Sequence, residues 1–251
     1  MSRDCLILGS GRSGTSFAAG MLAAAGYFMG ETLWPGNDGN PHGYFEDREI
    51  NSINEELLEP LVPTRSLGRF LPGSLHSHGF HRWLAILAPG TVICCRRRLA
   101  RRIEAATRRR PFCFKDPRFC YTLPVWRPYV GSAALICVFR HPGVTANSML
   151  TECRRADYLK RVKMDFPHAL AVWEAMYRHI LEVSYPAGGD WLFVHYDQLL
   201  NGVAAQRLES LLEIKVDTKF GDPQLKRSTS SDSIPQHISR LYERLCRLAG
   251  L

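Results

Sequence analysis

Cys5-Leu6-Ile7-Leu8-Gly9-Ser10-Gly11-Arg12-Ser13-Gly14-Thr15-Ser16 is the stretch on which the fold turns. Four apolar residues read as a short buried strand, and Phe17 to Ala25 beyond the glycines is small, apolar and helix-forming. A strand that runs through a glycine-rich loop into a helix is an anion cradle. Glycines let successive backbone N–H groups turn inward, and the helix N-terminus adds about half a positive charge facing the bound group. Thr15 and Ser16 would add hydroxyl donors.

Outward from this loop, short β-rich runs alternate with longer helical patterns. Cys5–Leu8, Thr91–Cys95, Phe112–Phe114, Leu135–Phe139 and Trp191–His195 read as buried strands. Leu170, Trp173, Tyr177, Ile180 and Leu181 recur at helical spacing between Phe166 and Ser184, and Asp197 is placed to cap a second helix that carries Leu200, Val203, Leu208, Leu211 and Leu212. Such alternation predicts an α/β protein with a central parallel sheet flanked by helices. The turn-rich stretches 34–43, 60–75 and 217–235 lack the length and charge of a domain linker, so residues 1–251 read as a single domain.

Composition agrees. The 251 residues carry 32 basic and 24 acidic side chains, a net charge of +8, with 45% hydrophobic and 22% charged residues, which excludes disordered and fibrous classes. Eight cysteines include the adjacent Cys94 and Cys95, and no CxxC spacing occurs, a pattern expected of buried thiols in a reducing compartment. The apolar run at the N-terminus is too short for a signal peptide or anchor, and no later window approaches about 18 apolar residues, so no membrane span and a cytoplasmic location are expected. The basic excess favours an anionic ligand.

Three phosphate-binding readings compete for the loop. A Walker A loop needs Lys after its last glycine, whereas Gly9-x4-Gly14 is followed by Thr15, which disfavours an ordinary ATPase or GTPase. The spacing Gly9-x-Gly11-x-x-Gly14 also fits a dinucleotide fingerprint, whose acidic ribose partner would be Glu31. That site has no particular use for Arg12, which is better explained by a ligand needing charge at a transferring group. Strand Leu135–Phe139 delivers Arg140-His141-Pro142, and Ser148 follows eight residues after Arg140, across the helix start that Pro142 marks. Arg140 and Ser148 could grip one phosphate together.

At this point the sequence resembles the sulfotransferases that use 3′-phosphoadenosine 5′-phosphosulfate (PAPS). In that family a loop written Lys or Arg, then Ser-Gly-Thr, holds the 5′-phosphosulfate, and an Arg with a Ser eight residues later holds the 3′-phosphate. Here these are Arg12-Ser13-Gly14-Thr15-Ser16 and Arg140 with Ser148. Asn40-Pro41-His42-Gly43-Tyr44-Phe45-Glu46 is similar to a Gly-aromatic-aromatic-Glu segment of the bacterial and tyrosyl-protein branches. Phe114-Lys115-Asp116-Pro117-Arg118 is similar to their Lys-Asp-Pro element, and Val194-His195-Tyr196-Asp197-Gln198-Leu199 to their Tyr-Glu-x-Leu element, with Asp for Glu. The resemblance spans roughly residues 4 to 200, and Lys226 and Arg227 occupy the place where the family closes a loop over the nucleotide.

The resemblance implies a P-loop-like three-layer fold, PAPS as co-substrate, no required metal, and a hydroxyl or amine acceptor on a small molecule, glycan or peptide. Gly11, Arg12, Ser13, Gly14, Thr15, Ser16, Arg140, Ser148, Tyr196, Lys226 and Arg227 would then bind the nucleotide. Arg12 and Lys115 would neutralise charge on the sulfuryl and bridging oxygens. A hydroxyl acceptor is a poor nucleophile and needs a base, for which Glu46 comes first, His42 second and Glu31 third.

Plainer readings stand beside these. Lys115 and Asp116 could be a strand-end ion pair, Glu46 could merely favour the first turn of its helix, and Tyr196 could be core. Arg96-Arg97-Arg98, Arg101, Arg102 and Arg108-Arg109-Arg110 fit a solvated amphipathic helix, without the interleaved aromatics that nucleic-acid binding would favour. His76-x-His78-x-x-His81 has no carboxylate or cysteine nearby to complete a metal site. A nucleotide-dependent phosphotransferase and a non-catalytic nucleotide or nucleic-acid binding module are the alternative functions.

Overall fold

The structure, a computed structural model, describes residues 2–36, 43–62, 81–159, 162–216 and 232–251. Its centre is a four-stranded, all-parallel sheet of β1 (Cys5–Leu8), β2 (Cys113–Lys115), β3 (Ala134–Phe139) and β4 (Trp191–His195) in the order β2-β1-β3-β4. Strands covered on both faces need no polar alternation, and all four are continuous apolar runs apart from Lys115 at the end of β2 and His195 at the end of β4.

Side chains of period two divide these strands between two cores. Leu6, Phe112, Phe114, Leu135, Cys137, Phe139 and Phe193 face one core, built with α2 (Arg48–Leu58), α3 (Arg97–Ala106), α4 (Phe119–Val130), α5 (Pro142–Arg155), α6 (Phe166–His179) and α9 (Gln236–Leu248). Cys5, Ile7, Cys113, Ile136, Val138, Leu192 and Val194 face the other, built with α1 (Thr15–Ala24), α7 (Tyr196–Leu200) and α8 (Val203–Leu212). Helix, sheet and helix layers give the three-layer α/β architecture expected, with nine α-helices among the described residues.

Two expectations are corrected. Thr91–Cys95 forms no strand and none of its five residues is buried, with Val92 77% exposed. The outer edge of β2 is already taken by Phe28, which accepts from the Cys113 amide at 2.9 Å and donates to the Pro111 carbonyl at 3.0 Å, so that edge offers the segment no ladder. Asp197 does not cap the helix after β4. His195 does, its Nδ1 accepting from the Asp197 amide at 3.1 Å while Gln198 accepts from the His195 amide at 3.0 Å. The helix then breaks at Asn201-Gly202, where Gly202 adopts a left-handed conformation (φ 78°), so that α7 and α8 are separate.

The arginine-rich stretch is the solvated helix α3, which buries Leu99 and Ile103. Arg102 clamps Glu49 (2.6 Å) and Glu56 of α2, Arg98 faces Glu56 (3.3 Å), and Arg110 pairs with Asp4. Among the described residues no helix is long and apolar enough to cross a membrane.

Candidate functional site

In an open parallel sheet the ligand crevice lies beyond the carboxyl ends of the strands, where the chain reverses its direction across the sheet. The order β2-β1-β3-β4 puts that point between β1 and β3. Both strands there run into helix N-termini without a side-chain cap: β1 through the glycine loop into α1, and β3 through Arg140 and His141 into α5, which begins at Pro142. Uncapped N-termini leave backbone N–H groups for an anion.

The glycines of the loop are fixed by aromatic neighbours. Gly14 caps α1 at φ 94°, and a Cβ there would lie 2.2 Å from a ring carbon of Tyr196; one on Gly11 would lie 2.4 Å from the Trp83 indole. Between them Arg12 takes a left-handed φ of 69°, a conformation that costs a non-glycine residue on the order of 1 kcal/mol and turns its side chain over the crevice. Ser13 serves the scaffold instead. Its hydroxyl is buried, 2.6 Å from that of Ser10, and accepts from the Tyr177 hydroxyl at 3.0 Å, while its amide donates to the Ser10 carbonyl. Thr15 is buried and Ser16 half-buried in the first turn of α1.

Arg12 and Arg140 converge. The Arg12 Nε–H donates to Ser148 Oγ at 3.1 Å, and its guanidinium lies 3.3 Å from Glu152 of α5. Arg140 lies with its guanidinium 4.5 Å from the Tyr196 ring centroid. Burial lowers the Arg140 pKa, Tyr196 and Asp197 counter this, and the positive charge of Arg12 lowers it further. Two guanidinium groups that repel across a crevice are stabilised by an anion placed between them. Tyr196 is thus both core and site: it is buried against Gly14 and Phe17 and carries Arg140 on its face.

Beside this anion pocket β2 ends at Lys115, whose buried ammonium pairs with the Glu46 carboxylate. Glu46 is held by its backbone, since its carbonyl accepts from Trp34 N–H at 2.9 Å and the preceding Phe45 is left-handed at φ 52°. Asp47 then caps α2, accepting from the amides of Glu49 and Ile50 through one oxygen and of Thr32 through the other. Asp116 belongs to a different network. It accepts from Asn51 (2.8 Å), Asn54 (2.9 Å) and Arg118 (2.9 Å), and Glu55 joins Arg118 to Arg82, so this buried polar cluster locks α2 onto the end of β2. The alternative of a Lys115–Asp116 strand-end pair is therefore replaced by Lys115–Glu46.

Of the two base candidates among the described residues, Glu46 is in contact with Lys115. Glu31 lies on the surface, 76% exposed and 3.5 Å from Arg109. His42, Lys226 and Arg227 lie outside the described residues, as do His76 and His78; among the described residues no group of side chains could hold a metal ion. Glu152, Trp83 and Tyr158 were not among the sequence candidates. Glu152 could have been found, because it lies four residues after Ser148 on the same face of α5. Trp83 and Tyr158 carried no sequence signal; they meet each other only in space, where desolvation and then Glu152, Tyr44 and Glu46 push the Tyr158 phenol up against the opposing hydrogen bond of Trp83.

The site as a whole gathers basic side chains and aromatic rings at the strand ends, with a carboxylate–ammonium pair at its side. No protein-family model matches the chain, and no curated protein matches it in sequence.

Proposed function

We propose that the chain is a cytoplasmic sulfotransferase that moves the sulfuryl group of PAPS to a hydroxyl acceptor. The observation that carries this reading is the convergence of Arg12, Arg140 and Ser148 at the switch point between β1 and β3, with the Lys115–Glu46 pair beside it. A nucleotide with phosphate groups at both the 3′ and 5′ positions needs two cationic subsites in one crevice, and an arginine at each of the two strand ends, Arg12 after β1 and Arg140 after β3, supports that reading.

In this reading the α1 N-terminus, Thr15 and Ser16 hold the 5′-phosphate, and Arg140 with Ser148 holds the 3′-phosphate. Glu46 takes the acceptor proton as the acceptor oxygen bonds to sulfur. The bond from sulfur to the bridging oxygen breaks, its electron pair stays on the 5′-phosphate, and Lys115 and Arg12 stabilise the charge that develops there. The sulfate ester and 3′,5′-adenosine bisphosphate leave. Lys115 also orients Glu46 before the acceptor arrives, through the ion pair between them.

The test is calorimetric titration with 3′,5′-adenosine bisphosphate, 5′-AMP and ATP, with and without Mg²⁺, followed by transfer from labelled PAPS to phenolic, glycan and peptide acceptors. Preference for the bisphosphate and transfer that survives excess chelator are expected. Tighter binding of Mg²⁺-ATP would overturn the reading in favour of a phosphotransferase, and binding of the bisphosphate with no transfer to any acceptor would favour a non-catalytic module.

A further inference from the structure

Glu152 is a nearly buried carboxylate on α5, 5% exposed. Removing a charge from water is costly unless it is paired, so its partners indicate what it is for. Among the described residues those partners both belong to the site. Its Oε2 lies 3.3 Å from the Arg12 guanidinium, and its Oε1 accepts from the Tyr44 hydroxyl at 3.4 Å. Arg12 belongs to the loop after β1, and Tyr44 lies two residues before Glu46. The two oxygens of one carboxylate therefore span from the anion side of the crevice to the acceptor side.

Arg12 needs such a holder. Its backbone is in the left-handed region, where an arginine stays only if the surroundings fix it, and its side chain is long and flexible. Ser148 and Glu152, one turn apart on α5, engage Nε and a terminal nitrogen of the same guanidinium, which fixes both the direction and the plane of the group. The Tyr44 contact makes the same carboxylate sensitive to the segment that presents the base.

We infer that Glu152 is a positioning residue, which holds the Arg12 guanidinium toward the transferring group and ties that placement to the acceptor-side segment through Tyr44. The inference rests on the proposed function in taking Arg12 as the cation at the sulfuryl group. It also makes a signed statement about binding: a negative charge beside Arg12 opposes an anionic ligand, so its loss should not weaken nucleotide binding although it weakens turnover.

The experiment compares the full-length wild type with Glu152→Gln, Glu152→Asp and Tyr44→Phe by three readouts. The first is hydrogen exchange of the Arg12 Nε–H in arginine-labelled protein by NMR, with the resonance assigned by its loss in Arg12→Lys. Glu152 fixes the plane of the guanidinium whose Nε–H Ser148 accepts, so loosening that plane is expected to speed this exchange about tenfold in Glu152→Gln, less in Glu152→Asp, and least in Tyr44→Phe. The second is the Kd for 3′,5′-adenosine bisphosphate, expected to tighten or to weaken by no more than about threefold, against a kcat lowered about tenfold or more in Glu152→Gln. The third is the pH profile of kcat, whose acid limb should persist in Glu152→Gln and disappear in Glu46→Gln.

Unchanged Arg12 exchange in the Glu152 variants overturns the inference. Parallel loss of nucleotide affinity and turnover overturns it too, because that is the mark of a purely structural residue. Loss of the acid limb in Glu152→Gln would instead make Glu152 the base. If Glu152→Gln does not fold, Glu152→Asp and Tyr44→Phe decide by the same exchange readout. A wild type that neither binds the bisphosphate nor transfers sulfuryl refutes the proposed function alone, since the exchange comparison still shows whether Glu152 holds Arg12.

Discussion

Gly14→Ala tests the geometry of the crevice without depending on any ligand. Gly14 has φ 94°, and a Cβ there would lie 2.2, 2.9 and 3.2 Å from three carbons of the Tyr196 ring. Carbon atoms rest about 3.5 to 4.0 Å apart, so the ring would have to retreat by more than about 1 Å. It cannot retreat freely, because it packs edge-on against Phe17 and carries the Arg140 guanidinium on its face. A left-handed alanine costs about 1 to 2 kcal/mol, and forcing one methyl into a packed contact adds about 1 to 3 kcal/mol. Gly26→Ala is the control: Gly26 has a similar φ of 89° but nothing within 4 Å of its added Cβ, so it should show the backbone part alone. Urea unfolding is expected to place Gly14→Ala about 2 to 5 kcal/mol below wild type and Gly26→Ala about 1 to 2 kcal/mol below it. Combining Gly14→Ala with Tyr196→Ala should recover part of the difference, because the clash is then gone. Equal losses in the two single variants, with m unchanged, would refute the packing of Tyr196 on the loop.

The other expectations concern charge. Arg140→Ala should weaken 3′,5′-adenosine bisphosphate by about 1.5 to 3 kcal/mol and 5′-AMP far less by calorimetry, and equal losses would remove Arg140 from the 3′ site. Lys115→Ala should lower turnover by about 10² or more with little change in nucleotide affinity, and Glu46→Gln by about 10² to 10⁴; a Glu46→Gln enzyme that retains wild-type kcat would exclude it as the base. His179 is buried, and burial lowers its pKa against a smaller opposing effect of Glu182. Its unfolded form therefore binds more protons below about pH 6.5, and stability should fall as the pH drops through that value toward the folded pKa. In His179→Gln the slope of unfolding free energy against pH just below about pH 6.5 should be shallower, by up to about 1.4 kcal/mol per pH unit, and an unchanged slope would show that His179 does not titrate on unfolding.

What was legible in the sequence was local. Cys5–Leu8 followed by glycines, and Leu135–Phe139 followed by Arg140 and a proline, each announce a strand end within a dozen residues, and both strands fall where they were read to within one residue. The apolar run Thr91–Cys95 carried the same local signal and failed, because a strand also needs an edge to pair with, and Phe28 holds that edge of β2 from a distance of more than eighty residues. The helix after β4 failed for a finer reason. Asp197 is the better cap by type, yet the Asp197 amide is itself the donor that His195 satisfies, so the helix starts one residue after β4 ends.

The site divides along the same line. Arg12, Lys115 and Arg140 were legible because each terminates or follows a strand, and strand ends are where a parallel sheet delivers its ligands. Glu152 was legible only through Ser148, four residues before it on the same face of α5; Trp83 and Tyr158 were not, because nothing in their own neighbourhoods distinguishes them from core or surface residues, and the fold alone brings Trp83 against Gly11 and Tyr158 near Glu152. Ser13 shows the converse. It belongs to the motif that made the loop readable, but its hydroxyl is buried and accepts from Tyr177, whose own Oη also meets the Ser10 amide and the Val138 carbonyl. The motif thus divides its work: Ser10 and Ser13 pin the loop to Tyr177 on α6, while Arg12 between them reaches Ser148 and Glu152 on α5. Tyr177→Phe should therefore loosen the loop, read as faster amide hydrogen exchange at Ser10 and Ser13, and unchanged exchange there would show that Tyr177 does not hold it; no spacing rule in the sequence could have connected residues more than 160 positions apart.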